Sequence, residues 1–123
     1  MMAEQLTKTD ALTREVFVTG SEPVETTEVV VASGLTIAAR EVLAMNKSTG
    51  KVVKFDNAGS NGANQAVFIA PYAIDSTGGE VSTMVYKSGT FNPELIVWAN
   101  AASDAVKASA FAGTPISLQT PQA

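Results

Sequence analysis

Two short motifs hold the residues whose types and spacing could support catalysis. Ser48 and Lys51 match the pattern S-x-x-K, and Lys87-Ser88-Gly89 resembles K-T-G. Together the two patterns are typical of serine penicillin-binding enzymes, whose serine lies at a helix N-terminus with the lysine one turn later. Here Ser48 and Lys51 fall in a predicted hairpin loop, and 123 residues are too few for that fold. We therefore predict no catalytic residue and no enzyme activity.

No set of side chains predicts a metal or cofactor site. The chain contains neither cysteine nor histidine, so the usual thiolate and imidazole ligands are both missing. Asp56, Asn57, Ser60 and Asn61 carry oxygens that could hold a hard cation, but only Asp56 is charged and the spacing does not match a calcium loop. A solvated turn explains this loop better. We expect no metal and no cofactor.

The distribution of charge and apolar residues excludes several partners. The net charge is −4, and residues 1–28 carry all of it, with six acidic and two basic side chains, whereas residues 29–123 carry six of each. A basic surface for nucleic acid is therefore not expected. No apolar run approaches the roughly 18 residues of a membrane span. The first residues lack the apolar core of a signal peptide, so we expect neither membrane binding nor secretion.

The elements that must position these side chains are mainly β-strands. Apolar runs, period-two alternation and turn residues predict short strands and hairpins, with a glycine-containing loop at 46–50 between two of them. The sequence shows neither an internal repeat nor alternation of strands with helices. Within the apolar run 66–74, Pro71 ends a strand or marks a bulge or sheet edge, because proline cannot donate to a ladder. The other predicted strands are residues 29–32, 42–45, 51–55, 80–87 and 116–118.

One short helix is predicted near the C-terminus, at about residues 104–112. Ser103 is a good N-cap, and Gly113 suits the position after the last turn. A helix of this length is marginal alone, so its apolar face must pack on the sheet. Asn92 and Pro93 predict a single additional helical turn, because asparagine caps well and proline fits the first helical position.

The N-terminal fifth of the chain reads as a flexible acidic arm, residues 1–28, ahead of a single body, residues 29–123. Within the arm, six consecutive residues are β-prone and precede the strand breakers Gly20 and Pro23. Such a segment is suited to adding a strand to the sheet edge of another protein. It is equally suited to an edge strand of the chain's own fold. The six residues are Arg14, Glu15, Val16, Phe17, Val18 and Thr19.

The aromatic residues between positions 86 and 117 are candidates for the core or for a contact between subunits. They are Tyr86, Phe91, Trp98 and Phe111. Trp98 is flanked by apolar residues, which favours burial over ligand stacking. An alternative remains, in which the chain is a small oligomeric β-rich ligand-binding module with a pocket lined by Tyr72, Tyr86 and Trp98.

The segment 86–117 resembles the C-terminal part of the head decoration (capsid-stabilising) proteins of lambda-like bacteriophages. Order and spacing agree over five groups of residues, and the upstream hairpin and glycine-rich loop fit more loosely. About two-thirds of the chain lies within the resemblance, whereas residues 1–28 match by position only. The five groups are Lys87-Ser88-Gly89-Thr90-Phe91, Trp98, Ala101-Ala102-Ser103-Asp104, Ala110-Phe111-Ala112-Gly113-Thr114 and Ile116-Ser117.

The resemblance implies a structural virion protein with a small, mainly β fold of the β-clip type. Members of the family form homotrimers on the outer surface of the expanded phage head, at three-fold sites, and stabilise it against the pressure of packaged DNA. The implied partners are other copies of the chain and the major capsid protein, to which the N-terminal arm adds a strand. The implied location is the outer capsid surface, after synthesis in the host cytoplasm, with no catalysis and no cofactor.

Overall fold

The computed structural model describes residues 17–20, 23–99 and 103–120, and it confirms a mainly β fold with one short helix near the C-terminus. A one-turn 3₁₀ helix at Pro93–Leu95 follows the last residues of the longest strand. The α-helix of the described residues, α1, is Asp104–Ser109. The strands are β1 Glu25–Val31, β2 Thr36–Ile37, β3 Val42–Met45, β4 Val52–Lys54, β5 Phe68–Ile69, β6 Ile74–Asp75, β7 Val81–Phe91 and β8 Ile116–Leu118.

Five strands form a closed ring in the order β1, β4, β3, β5, β7, because β1 also pairs with β7. The β1–β7 ladder is antiparallel and runs from Val31↔Val81 to Glu25↔Ser88, while β1 meets β4 in parallel at Val31↔Val52. Strand β8 pairs in parallel with the C-terminal end of β7, beyond the residues that β1 uses. Strands β2 and β6 form a separate two-stranded sheet. Closing the ring leaves its five strands without an open edge over their paired lengths.

The ring packs on both of its faces. One core cluster contains Val29, Leu43 and Val85, and the other contains Val42, Phe91 and residues of the C-terminal segment. Val42 and Leu43 are neighbours in β3 and are both fully buried. Because successive side chains of a strand point to opposite faces, β3 must be covered on both sides. The segment that follows β7 provides the second cover.

The predicted hairpin is confirmed, with β3 and β4 paired from Met45↔Val52 to Leu43↔Lys54. Gly50 adopts φ +73° in the loop, as its position predicted. A second loop, residues 56–64, packs beside the first. The Lys47 amide donates to the Asn61 carbonyl at 2.8 Å, and the Asn61 side-chain amide donates to Ser48 Oγ at 2.7 Å.

Two strands are longer than the sequence indicated. Strand β7 continues through Gly89 to Phe91, although the sequence predicted an end near residue 87. Gly89 is buried with φ +135°, and a Cβ there would lie 2.9 Å from Phe91 Cζ, so this glycine permits close approach instead of ending the strand. Strand β1 begins at Glu25, so residues 25–28, which the sequence assigned to the arm, pair with β7. The division into arm and body stays a prediction.

The helix is shorter than the predicted 104–112. Ser103 caps it as expected, since its Oγ accepts from the Val106 amide at 3.2 Å. After Ser109 the chain changes to i→i+3 hydrogen bonds, with the Thr114 amide donating to the Phe111 carbonyl at 3.0 Å. Such bonds tighten a helix end and satisfy its last carbonyls. The 3₁₀ turn is also capped as predicted, with Asn92 Oδ1 accepting from the Glu94 amide at 3.0 Å.

Candidate functional site

Residues 17–20, hereafter the docked segment, lie along the C-terminal end of β7. The Thr19 amide donates to the Thr90 carbonyl at 2.9 Å, and the Asn92 amide donates to the Phe17 carbonyl at 2.6 Å. Val18 pairs antiparallel with Phe91 between these two bonds. Within the described residues, the segment therefore meets its own chain through one isolated antiparallel bridge, while its role as an edge strand or as a capsid contact stays a prediction.

Three rings form the aromatic cluster that holds the docked segment: Phe17, Tyr86 and Phe91. Phe17 stacks on Phe91 with ring centroids 4.8 Å apart at 29°, and its centroid is 6.1 Å from that of Tyr86. Tyr86 and Phe91 are 5.1 Å apart. The Arg40 guanidinium carbon lies 5.2 Å from the Phe17 centroid, at cation–π distance. The cluster therefore fixes the side chain of the docked segment as well as its backbone.

Arg40 is the residue of this site that the sequence analysis missed. Its backbone has φ +67°, a left-handed conformation that is uncommon outside glycine, asparagine and aspartate. The Arg40 amide donates to the Ala70 carbonyl at 2.7 Å, and its carbonyl accepts from the Val97 amide at 2.9 Å. Both contacts join distant parts of the chain. No motif or periodicity around position 40 carries that information.

The four predicted core or subunit-contact aromatics divide into two groups. Phe91 and Phe111 are buried, at 0% and 5% exposure, and belong to the core. Tyr86 and Trp98 are half-buried and pack against the same core cluster. Trp98 meets Phe55 edge to face, with centroids 5.6 Å apart. Only the half-buried pair retains side-chain surface that another molecule could cover.

A surface cavity of about 350 Å³ lies beside Trp98, and its lining does not include either tyrosine of the alternative ligand pocket. Tyr72 is 49% exposed, and its hydroxyl lies 2.6 Å from Thr83 Oγ1. Tyr86 packs in the aromatic cluster. The structure thus places the three residues of that pocket in three different contacts. The cavity is lined by Pro93, Trp98, Lys107, Ala108 and Leu118.

A larger cavity, of about 430 Å³, lies between α1 and the 56–67 segment. Its polar lining consists of amides and hydroxyls, and none of its lining residues is charged. Such a surface can donate and accept hydrogen bonds but carries no formal charge. The polar lining residues are Asn57, Asn64, Gln65, Ser109 and Thr114.

Glu41 is the one buried carboxylate of the described residues, at 2% exposure. Its Oε1 accepts from the Ala38 amide at 2.8 Å, and its Oε2 lies 3.7 Å from Lys54 Nζ without a hydrogen-bond partner in the described structure. Glu41 also bridges to Val97 through the backbone. A buried charge needs such a counter-ion, so the pair helps to hold the loop that carries Arg40.

The residues of the rejected catalytic motifs serve structural contacts. Ser48 Oγ accepts from the Asn61 side chain, and Lys51 forms an ion pair with Glu80. Among the described residues, no group of three or more His, Cys, Asp or Glu side chains could hold a metal ion. No helix in that part of the chain is long and apolar enough to cross a membrane. Three predicted capsid-contact residues, Arg14, Glu15 and Val16, lie outside the described residues.

Comparison with known proteins points to one family. A family model described as bacteriophage lambda head decoration protein D matches residues 5–117. A protein named head decoration protein, from Enterobacteria phage P21, is 37% identical over 75 residues, which are 61% of this chain and 61% of that protein. The matched region therefore spans less than two-thirds of that relative's length. The family match covers the ring, the docked segment, α1 and all but the last residue of β8.

Proposed function

The chain belongs to the bacteriophage lambda head decoration protein D family, and on that premise we propose that it is a structural virion protein and not an enzyme. It binds the outside of the expanded phage head as a homotrimer at three-fold sites and stabilises the shell against the pressure of packaged DNA. Its partners are two further copies of itself and the major capsid protein. It is made in the host cytoplasm and ends on the outer capsid surface.

The observation that carries this proposal is the match of one family model to nearly the whole chain, residues 5–117. The similarity to a relative named head decoration protein also supports it. The fold is compatible with a role in stabilising the capsid shell. A closed ring packed on both faces is a rigid body whose strands present little free edge for uncontrolled association.

The trimer is supported by half-buried aromatic surface. Tyr86 and Trp98 keep exposed area next to the core, and Trp98 adjoins an open cavity with Leu118 and Pro93. Aromatic residues with an adjacent pocket are the usual anchors of subunit contacts. We propose that the Trp98 side of the body faces a neighbouring copy.

The N-terminal arm supplies the contact with the capsid in this proposal. Three arms on one trimer act together, because the second and third bind at high effective concentration once the first is bound. Avidity can then exceed the affinity of a single arm by about 10²–10⁴-fold. Ordering each arm costs a few kcal/mol, so attachment requires a shell that offers all three acceptor sites at the right spacing. Expanded heads would meet that requirement.

The decisive experiment mixes the purified protein with undecorated expanded heads and images them by cryo-electron microscopy. We expect density at the three-fold sites. A variant lacking residues 1–16 keeps every residue of the docked segment and should remain folded without decorating the heads. Decoration by this variant at the wild-type level would exclude the arm as the capsid contact.

A measurement of mass in solution tests the trimer without the capsid. Three copies of the 12.7-kDa chain give a particle of 3 × 12.7, about 38 kDa. We expect that value from light scattering at micromolar concentration. A stable monomer at the same concentration would contradict the homotrimer while leaving family membership unaffected.

A further inference from the structure

We propose that Arg40 and Phe17 form a clip that fixes the docked segment to the body, so that residues 17–20 position the arm and the capsid contact lies upstream of Phe17. This inference rests on the proposed function and refines it, because Phe17, Val18 and Thr19 were candidates for the capsid contact itself. The clip assigns them a different role. They set the point at which the arm leaves the body.

The backbone of the docked segment is already committed to β7. In an antiparallel ladder, alternate residues direct their amide and carbonyl groups to the same neighbour. Phe17 and Thr19 direct theirs to Asn92 and Thr90, at 2.6 and 2.9 Å. The Thr19 hydroxyl adds a third bond, donating to the Gln119 carbonyl at 2.7 Å. A capsid strand could use these groups only after the segment had left the body.

The side chain of Phe17 packs against residues of the body that are themselves held in place. Phe91 beneath it is fully buried and cannot move without disturbing the core. The Arg40 guanidinium carbon lies over the same ring, 5.2 Å from its centroid, and the Arg40 backbone is fixed by bonds to both Ala70 and Val97. The ring therefore contacts a buried aromatic side chain and a guanidinium whose backbone is held by bonds to other parts of the body. A residue whose task was to bind a partner would gain little from such enclosure.

The last residue of the docked segment fits because it is glycine. A Cβ at Gly20 would lie 2.6 Å from Thr90 Cβ and 2.8 Å from both outer atoms of the Thr90 side chain. Thr90 is 4% exposed and β-branched, so it has no room to turn away. The φ angle of Gly20 is not in the left-handed region. The requirement for glycine at this position therefore arises from the short contact distance and not from backbone strain. The contact makes position 20 a sensitive reporter of docking.

The clip and a direct capsid contact predict effects of very different size on attachment. Releasing the docked segment only lengthens the tether that joins each arm to the body. Doubling the tether length lowers the effective concentration of an arm by about threefold. Because this factor applies to both the second and the third arm that bind, the total loss of attachment is about tenfold. Removing an aromatic that contacts the capsid itself costs about thirtyfold for a single arm. Because the affinity losses of the three arms multiply, the affinity of the whole trimer for the head would fall by much more than thirtyfold.

Hydrogen exchange of the free protein tests the clip without any capsid. The amides of Thr19 and Asn92 form the two docking bonds, and the Val42 amide, bonded to the Val97 carbonyl at 3.0 Å, serves as a reference in the body. Gly20→Ala should accelerate exchange at the two docking amides by about five- to hundredfold. Gly78→Ala is the matched control, because nothing lies within 4 Å of its Cβ position.

Arg40→Gln isolates the guanidinium. It should accelerate exchange at the same two amides by about two- to fivefold, the size of an exposed cation–π contact. Lys47→Gln removes an exposed positive charge elsewhere and should change nothing at these amides. Unchanged exchange at Thr19 and Asn92 in both Gly20→Ala and Arg40→Gln would overturn the clip.

Attachment to expanded heads completes the test, with Phe17→Ala and Gly20→Ala each compared with wild type. A loss of up to about tenfold supports a positioning role, and a larger loss in variants that remain folded overturns it in favour of direct contact. The results can refute the clip and the proposed function independently of each other. If exchange shows the clip but wild type does not attach to heads, the proposed function is wrong and the clip stands. If wild type attaches but exchange is unaffected by the variants, only the clip is wrong.

Discussion

Gly62→Ala should destabilise the protein far more than the control substitution Gly34→Ala, because only a side chain at position 62 pushes two neighbouring loops apart. Gly62 has φ +97°, and a Cβ there would lie 2.2 Å from the Met45 carbonyl oxygen and 2.9 Å from Lys47 Cγ. A backbone oxygen cannot turn aside as the end of a long side chain can. The 56–64 loop must therefore move away from the hairpin loop at 46–50. Gly34 is the control, with φ +87° and nothing within 4 Å of its Cβ position.

The magnitude follows from the contacts that such a movement breaks. Both alanine variants incur the left-handed backbone strain of about 1–2 kcal/mol. Gly62→Ala also disrupts the bond from the Lys47 amide to Asn61 at 2.8 Å and the two bonds of the Asn61 side chain, to Ser48 Oγ at 2.7 Å and Asn46 Oδ1 at 3.2 Å. At about 0.5–1.5 kcal/mol each, the additional loss is about 2–4 kcal/mol.

Thermal unfolding followed by circular dichroism measures this difference. For a chain of this size, we expect the Tm of Gly62→Ala to lie about 8–16 °C below that of Gly34→Ala. Both variants must be measured at one protein concentration, because assembly of the chain would raise Tm with concentration. Equal Tm values for the two variants would refute the argument, since only contact between the loops distinguishes them.

Three further predictions concern the helix cap, the buried ion pair and an exposed carboxylate. Ser103→Ala removes the bond to the Val106 amide and should lower the free energy of unfolding by about 1 kcal/mol in urea titrations; no change would show that α1 does not depend on its cap. Lys54→Met leaves the buried Glu41 carboxylate without its cation and should lower the free energy of unfolding at neutral pH. Adding Glu41→Gln should recover most of the lost stability. If the destabilisation by the two substitutions is instead additive in the double mutant, the pairing is contradicted. Hydrogen bonds from the Thr77 hydroxyl and then from its amide lower the pKa of the Asp75 carboxyl, so this group stabilises the fold above its unfolded pKa, and the contribution is lost as pH falls through the lower folded pKa. In an NMR titration, Thr77→Ala should raise the Asp75 midpoint toward its ordinary value, and an unchanged midpoint would assign the shift to another cause.

The elements that the sequence predicted well are those made by neighbouring residues. Ser103 and Asn92 cap their turns as predicted, and Gly50 adopts the positive φ that its hairpin loop requires. Each of these features depends on hydrogen bonds within a few positions of the chain. The mainly β composition and the late helix were predictable for the same reason.

The docking geometry at the candidate site was not predictable from the residues that form it. The sequence marked Phe17 as β-prone and left open whether it would pair with another protein or with its own chain. Phe17 meets Asn92 and Phe91 across more than seventy positions, and Arg40 reaches it from a third region. The same applies to β7, for which the sequence predicted an end near residue 87, whereas the tertiary structure uses Gly89 for close packing and continues the strand.

The sequence by itself determined the family resemblance, the strand-rich composition, the capped turns, and the lack of cysteine and histidine that excludes thiolate and imidazole chemistry. Only the tertiary structure decided that β1 closes the ring on β7, that Arg40 covers Phe17, and that residues 17–20 pair with the body. The physical reason is the range of the interactions. Caps and turns are set by local hydrogen bonds, whereas ring closure and docking depend on burial that repays the entropy of joining distant segments.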